Sequence, residues 1–187
     1  MRKIIFLDID GVLNHQQAYE DGECKYDFEE KYQKFSTTSK ALLNKLIEKT
    51  GAEIVISSTW RADGLERMQE IWKQEEMSGE VVGITTHLNI AGYGWTPRGC
   101  EIECYLRNEG FYHLNWDADK QLEIMKESNI ANYIIIDDDG DMLYAQREHF
   151  VQTLPAPRNL SGFNQYYYED ALKKLSKTVI DLQYTNN

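Results

Sequence analysis

The sequence has little from which to build a disulfide framework, a membrane span or a basic binding face. Cysteine occurs only at Cys24, Cys100 and Cys104 in 187 residues. An odd count without regular spacing argues against a secreted disulfide scaffold. Cys100 and Cys104 would share a helix face at i, i+4, as two metal ligands do. No further Cys/His pair complements them, so core or half-buried thiols are expected. The four histidines also lack metal spacing. His15 alone stands out, because it follows the first acidic motif. With three prolines and no low-complexity tract, the chain shows no linker, and a single domain over residues 1–187 is expected. No apolar run approaches the length of a span, so no membrane partner is expected. Charges interrupt the N-terminal apolar stretch, unlike a signal peptide, and a reducing cytoplasm is the expected location. Basic residues number 20 against 31 acidic ones, for a net charge of −11. That balance disfavours a broad nucleic-acid footprint but allows a local basic patch.

What is present begins at the N-terminus. Lys3–Leu7 reads as a buried parallel strand, and it runs straight into Asp8-Ile9-Asp10-Gly11-Val12-Leu13. In an extended chain Asp8 and Asp10 point the same way. Two such carboxylates repel unless a cation or a shared proton intervenes. Gly11 permits a sharp turn after them. Residues 14–35 are polar and aromatic, an irregular excursion that suits a small cap or flap. A helix capped within Ser36–Thr38 follows, carrying Leu42, Leu43, Leu46 and Ile47 and stopping at Gly51. Strands are expected at Ala52–Ile56, Glu80–Thr85, Tyr133–Ile136 and His149–Leu154. Helices are expected around Leu65–Trp72, after a Thr96 cap with Pro97 in the first turn, over 118–127, and from Gln165 to Leu182. Alternating strands and helices specify an α/β fold with a parallel sheet covered on both faces.

Three of these strands end in polar chemistry: Asp8/Asp10, Ser57-Ser58-Thr59 and Asp137-Asp138-Asp139. In a parallel sheet such ends share one edge, where open α/β sheets place ligands. Arg98, at a helix start, is the candidate cation for that edge, with Lys120 and Arg61 as rivals. Carboxylates, hydroxyls and one guanidinium suit Mg²⁺ plus a phosphate group. Asp139 and Asp141 would shape the turn. Trp60, Trp95 and Trp116 would pack at the core or rim, or stack on a base. Tyr166-Tyr167-Tyr168 would serve packing.

Asp8-Ile9-Asp10-Gly11, Ile56-Ser57-Ser58, Arg98 and Ile136-Asp137-Asp138, in that order, resemble the four motifs of the haloacid dehalogenase (HAD) superfamily of phosphohydrolases. The likeness covers roughly residues 1–155. Ser57-Ser58-Thr59-Trp60-Arg61, Arg98-Gly99-Cys100-Glu101-Ile102 and Asp137-Asp138-Asp139 resemble more narrowly the HAD group linked to "Swiss army knife" RNA-repair proteins. The resemblance implies a Rossmann-like HAD fold with a small cap or none. It also implies a mechanism: Asp8 attacks phosphorus to form an aspartyl-phosphate, and Asp10 protonates the leaving oxygen and then activates water. Mg²⁺ would be held by Asp8, the backbone carbonyl of Asp10 and Asp137, with Asp138 in support. Ser57, with Ser58 as understudy, and Arg98 would hold phosphoryl oxygens.

The expected activity is thus Mg²⁺-dependent phosphomonoester hydrolysis. The expected substrate is a nucleotide or nucleic-acid end, the alternative a small phosphorylated metabolite, and no stable protein partner is expected. A receiver-like phospho-acceptor switch would place its acidic pair and its acceptor in the opposite order. A toprim-like nuclease module would need a Glu at an earlier strand end. A binding protein with a dead site would lack a required side chain, and none is missing.

Overall fold

Strand formation follows the apolar runs. The structure, a computed structural model, describes residues 2–88, 96–109, 111, 129–154 and 161–177. Strand β1 (Arg2–Leu7) lies at the centre of a five-stranded sheet. Its neighbours are β4 (Glu53–Ile56) and β6 (Ile130–Asp137), with β5 (Val81–Ile84) and β7 (Phe150–Gln152) outermost. All four pairings in the order β5-β4-β1-β6-β7 are parallel. The chain leaves β1 toward β4 and β5, then returns to the other side of β1 for β6 and β7. Its central strand is therefore the switch point, where a crevice opens at the carboxyl ends.

Alternation along β1 splits the core in two. Ile5 and Leu7 join Ile54, Ile56, Ile134 and Ile136 on one face, under helices α2 (Thr37–Thr50), α3 (Leu65–Gln74) and α5 (Gln165–Ser176). Ile4 and Phe6 join Val55, Tyr133 and Ile135 on the other face, with Ile102 and Leu106 of α4 (Arg98–Asn108). Ser36 caps α2 by accepting from the Ser39 N–H, and Gly51 ends it in the left-handed conformation at φ 65°. Tyr167 and Tyr168 are buried, whereas Tyr166 is exposed.

The five expected strands form with ends shifted by one to three residues. The one long discrepancy is β6, which begins at Ile130. There Asn132, a polar residue that masks the apolar pattern, is satisfied by donating to the carbonyls of Lys174 and Lys177. The helix expected around Leu65–Trp72 forms as α3. A 3₁₀ turn over Thr59–Asp63 comes first, and Gly64 at φ 89° separates it from α3. The cap expected at Thr96 is also corrected. Thr96 Oγ1 donates instead to the Leu88 carbonyl, and the α4 N-terminal N–H of Arg98 is received by Asp141 Oδ2 at 2.6 Å. The excursion over 14–35 holds a short helix, α1 (Gln16–Glu20), and a hairpin of β2 (Tyr26–Asp27) and β3 (Tyr32–Gln33). Its Tyr32 is buried and donates to Glu75 at 2.8 Å. The expected helix over 118–127, the helix continuation past Lys177, Lys120, Trp95 and Trp116 lie outside the described residues.

Candidate active site

The three polar strand ends come together because of register. Leu7 pairs with Ile56 on one side and with Ile136 on the other. The next residues, Asp8, Ser57 and Asp137, are therefore level across three adjacent strands. The Asp8 N–H donates to the Ile136 carbonyl at 2.9 Å and the Ser57 N–H to the Leu7 carbonyl at 2.9 Å, so the sheet ladder itself fixes both.

Asp8, Asp137 and Asp138 each offer a carboxylate oxygen within 4.8 Å of the others. Asp8 and Asp137 are buried and Asp138 is half-buried. Burial pushes Asp8 up to about 6, with Asp138's charge adding to the rise while Arg98 and a hydrogen bond from Ser58 oppose it. Burial, reinforced by the charge on Asp8, pushes Asp137 up to about 8. Asp138 is raised by burial and then by Asp139. One oxygen of the group, Asp137 Oδ2, is buried without a partner. The other, Oδ1, accepts from the Asp139 N–H at 3.0 Å. Crowded, desolvated carboxylates with an unpaired buried oxygen fit a hard divalent cation.

Gly11 belongs to this geometry. Its φ is 76°, and a Cβ added there would lie 2.2 Å from the carboxyl carbon of Asp138. The first turn thus needs glycine both for its conformation and for the room Asp138 occupies. The Gly11 carbonyl in turn accepts from Thr153 Oγ1 at 3.1 Å, tying the turn to the end of β7.

Among the described residues Arg98 is the cation that reaches the cluster, with Nη1 3.4 Å from Asp8 Oδ1. Its placement is built from the turn after β6: Asp141 receives the Arg98 N–H, and Gln146 donates to the Gly99 carbonyl at 2.9 Å. A Cβ on Gly99 would meet the Leu143 nitrogen at 2.5 Å, so the α4 start sits tight against that turn. The rival Arg61 has another task. Buried, it donates through Nη1 to the carbonyls of Ser57 and Ser58 at 2.8 and 2.7 Å, and through Nη2 to Glu101. It braces the turn after β4 from behind.

The two serines differ. Ser58 donates to Asp8 and accepts from the Trp60 N–H. Ser57 is fully buried, and its hydroxyl has no partner. Asp10 is exposed and stands apart from the three-carboxylate group. Its Oδ2 accepts from Trp60 Nε1 at 3.0 Å. Trp60, expected as packing or a stacking platform, packs on Phe35 with ring centroids 5.9 Å apart and holds the second acidic residue. That contact is the site feature missed by sequence reasoning, and the only signal for it was a tryptophan three residues after Ser57. Asp141, expected to shape a turn, is the other. His15 lies to the side, bonded to Ser161 Oγ at 2.8 Å and pressed on Gly162. The three cysteines are free thiols, Cys24 buried and the others half-buried. Among the described residues no helix is long and apolar enough to cross a membrane.

A parallel sheet with acids, hydroxyls and a guanidinium gathered over the end of its central strand defines a Rossmann-like α/β protein of the HAD type. The chain belongs to the family described as the HAD domain in Swiss Army Knife RNA repair proteins, whose model matches residues 4–157. The family supports phosphatase-type hydrolase chemistry, and HAD domains generally use Mg²⁺. No curated protein and no solved structure matches the chain.

Proposed function

We propose that the protein is a Mg²⁺-dependent phosphomonoester hydrolase that works through an aspartyl-phosphate on Asp8. Its substrate is a nucleotide or the terminal phosphate of a nucleic acid. The observation that carries this reading is Asp8 itself: a buried carboxylate at the end of the central strand, 3.4 Å from Arg98 and grouped with Asp137 and Asp138.

In this reading Asp8 attacks phosphorus, and the bond from phosphorus to the leaving oxygen breaks. That oxygen takes a proton from Asp10, which Trp60 holds in place. Water then attacks the phosphoryl group, giving its proton to Asp10, and Asp8 departs as a carboxylate. Arg98 and the unpartnered Ser57 hydroxyl bind the phosphoryl oxygens. Asp8, Asp137, the Asp10 carbonyl and, in support, Asp138 would hold Mg²⁺, which neutralises charge between the carboxylate and an incoming phosphate. The small excursion over 14–35 acts as a partial cap and leaves room for a bulky substrate.

The test is phosphate release from an aryl phosphate, a nucleotide panel and 3′- or 5′-phosphorylated oligonucleotides, with and without Mg²⁺. Release should require Mg²⁺ and vanish in Asp8→Asn, and the best substrate separates a nucleic-acid end from a small metabolite. No release from folded, metal-bound protein across the panel would defeat the proposal. Stable phosphorylation of Asp8 without turnover would make the protein a phospho-acceptor switch instead.

A further inference from the structure

Beside the carboxylate cluster lies a cavity, on the side of the sheet edge away from β6. It measures about 580 Å³ and is lined by Thr59, Arg61, Ala62, Ile84, Thr85, Thr86 and His87. The strand register fixes its distance from the chemistry. Ile84 pairs with Ile56, and the Thr85 N–H donates to the Ile56 carbonyl at 2.9 Å. Asp8, Ser57 and Thr85 are therefore successive positions along one edge. At about 4.8 Å per strand, Thr85 is roughly 10 Å from Asp8. That is the reach of one nucleotide unit from its terminal phosphate.

The lining has a definite chemistry. No lining residue among those described is acidic. Two buried donors there lack partners: the Thr85 hydroxyl, on a residue 1% exposed, and the Arg61 Nε–H, on a residue 6% exposed. Leaving such groups unpaired costs stability unless something completes them. Thr59, Thr86 and His87 supply further polar atoms at the exposed rim. Ile84 and Ala62 supply apolar wall. The opposite side of the cluster is different, for there Asp137, Asp138, Asp139 and Asp141 crowd the end of β6. A ligand rich in acceptors is repelled from that side and completed on this one.

We infer that this cavity is the leaving-group subsite: it seats the sugar and base of the terminal nucleotide whose phosphate lies over Asp8. The inference rests on the proposed phosphatase reading and sharpens it. A volume of this size takes one nucleoside with its faces against Ile84 and Ala62. Thr85 and Arg61 donate to acceptor atoms on its edge. A free mononucleotide and the end of a strand present the same unit.

The test uses the full chain with Mg²⁺ and compares acetyl phosphate, whose leaving group is too small for the cavity, with adenosine 3′- and 5′-monophosphate and a phosphorylated oligonucleotide. Ala62→Trp places an indole in the cavity from an exposed position, and Thr85→Val removes one donor. The ratio of kcat/KM for nucleotide over acetyl phosphate should fall about tenfold or more in Ala62→Trp, carried by KM, and severalfold in Thr85→Val. An unchanged ratio in both variants overturns the subsite while leaving the phosphatase intact. Binding of adenosine monophosphate to Asp8→Asn, followed by NMR at Thr85 and His87, reads the subsite without turnover. Shifts there uphold the subsite even if the wild type hydrolyses nothing. Their absence at saturating nucleotide overturns it. A preference for the oligonucleotide over the mononucleotides assigns a strand end, and the reverse a free nucleotide.

Discussion

Neutralising Asp137 should stabilise the metal-free protein, and by an amount that depends on pH. Asp137 is 1% exposed, and its carboxyl is pushed from 3.8 to about 8 by burial and by the charge of Asp8. The folded state therefore holds a proton that the unfolded chain releases at about pH 4. Between those values the unfolded state binds fewer protons, so stability falls as pH rises, and the loss is complete above about pH 8. At about 1.4 kcal/mol for each unit, the full shift has an upper bound of roughly 5–6 kcal/mol. Relaxation and water entry around the cluster reduce this to about 2–4 kcal/mol. Asp137→Asn keeps the shape and can still accept the Asp139 N–H, while deleting the charge. With EDTA at pH 8 the variant should melt about 6–12 °C above wild type, taking about 3 °C per kcal/mol for a chain of this length. The gap should close toward pH 5, where wild-type Asp137 is already protonated. Mg²⁺ should raise the wild type and not the variant. A variant less stable than wild type at pH 8 in EDTA, or a gap that does not shrink toward pH 5, would refute the electrostatic reading of the cluster.

Two further substitutions probe the supports of the site. Trp60→Phe keeps the packing on Phe35 but removes the hydrogen bond to Asp10. We expect kcat to drop about 3- to 10-fold with KM little changed, because a group acting on the leaving oxygen loses its orientation; unaltered kcat would release Trp60 from that role. Arg61→Met strands Glu101, which is 3% exposed, and also withdraws donors from the Ser57 and Ser58 carbonyls. An uncompensated buried charge costs about 3–5 kcal/mol. Denaturant melts should therefore show a large loss in the single variant and most of it regained in Arg61→Met with Glu101→Gln. A single variant as stable as wild type would mean the pair does not support the turn.

The fold was legible because its signals are local. An apolar run such as Ile4–Leu7 can hardly be anything but a buried strand once carboxylates and a glycine follow it, and Ser36 and Gly51 mark α2 at both ends. Asp8, Ser57, Arg98, Asp137 and Asp138 were nameable for the same reason, each standing at the end or start of a readable element. What sequence could not supply were partnerships across space. Thr96 looks like a cap and Asp141 like a turn residue. The cap is Asp141, 43 positions from the N–H it receives, because the β6–β7 turn packs against the start of α4. Trp60 meets Asp10 across 50 positions, and Arg61 meets Glu101 across 40. Neither contact leaves a periodic trace in the chain.

These long-range partners explain why one arginine faces the chemistry and its neighbour does not. Arg61 and Arg98 both approach Asp8 closely enough for their charges to act on it. Glu101 is the discriminator. It lies one turn into α4, buried, and its carboxylate takes Arg61 through Oε2 and the Leu88 N–H through Oε1. With that acceptor saturated, Arg61 turns Nη1 to the β4 turn and leaves only its Nε–H unpartnered. Arg98, at the first position of the same helix, has no acid on its own element within reach except Glu101, which is already engaged. Its guanidinium extends instead toward the central strand and Asp8. One buried glutamate thus fixes the division between a scaffold arginine and a site arginine. Because Glu101 sits on the helix that Arg98 opens, its pairing with Arg61 also ties the turn after β4 to the start of α4, beside the carboxylates whose charge Arg98 offsets.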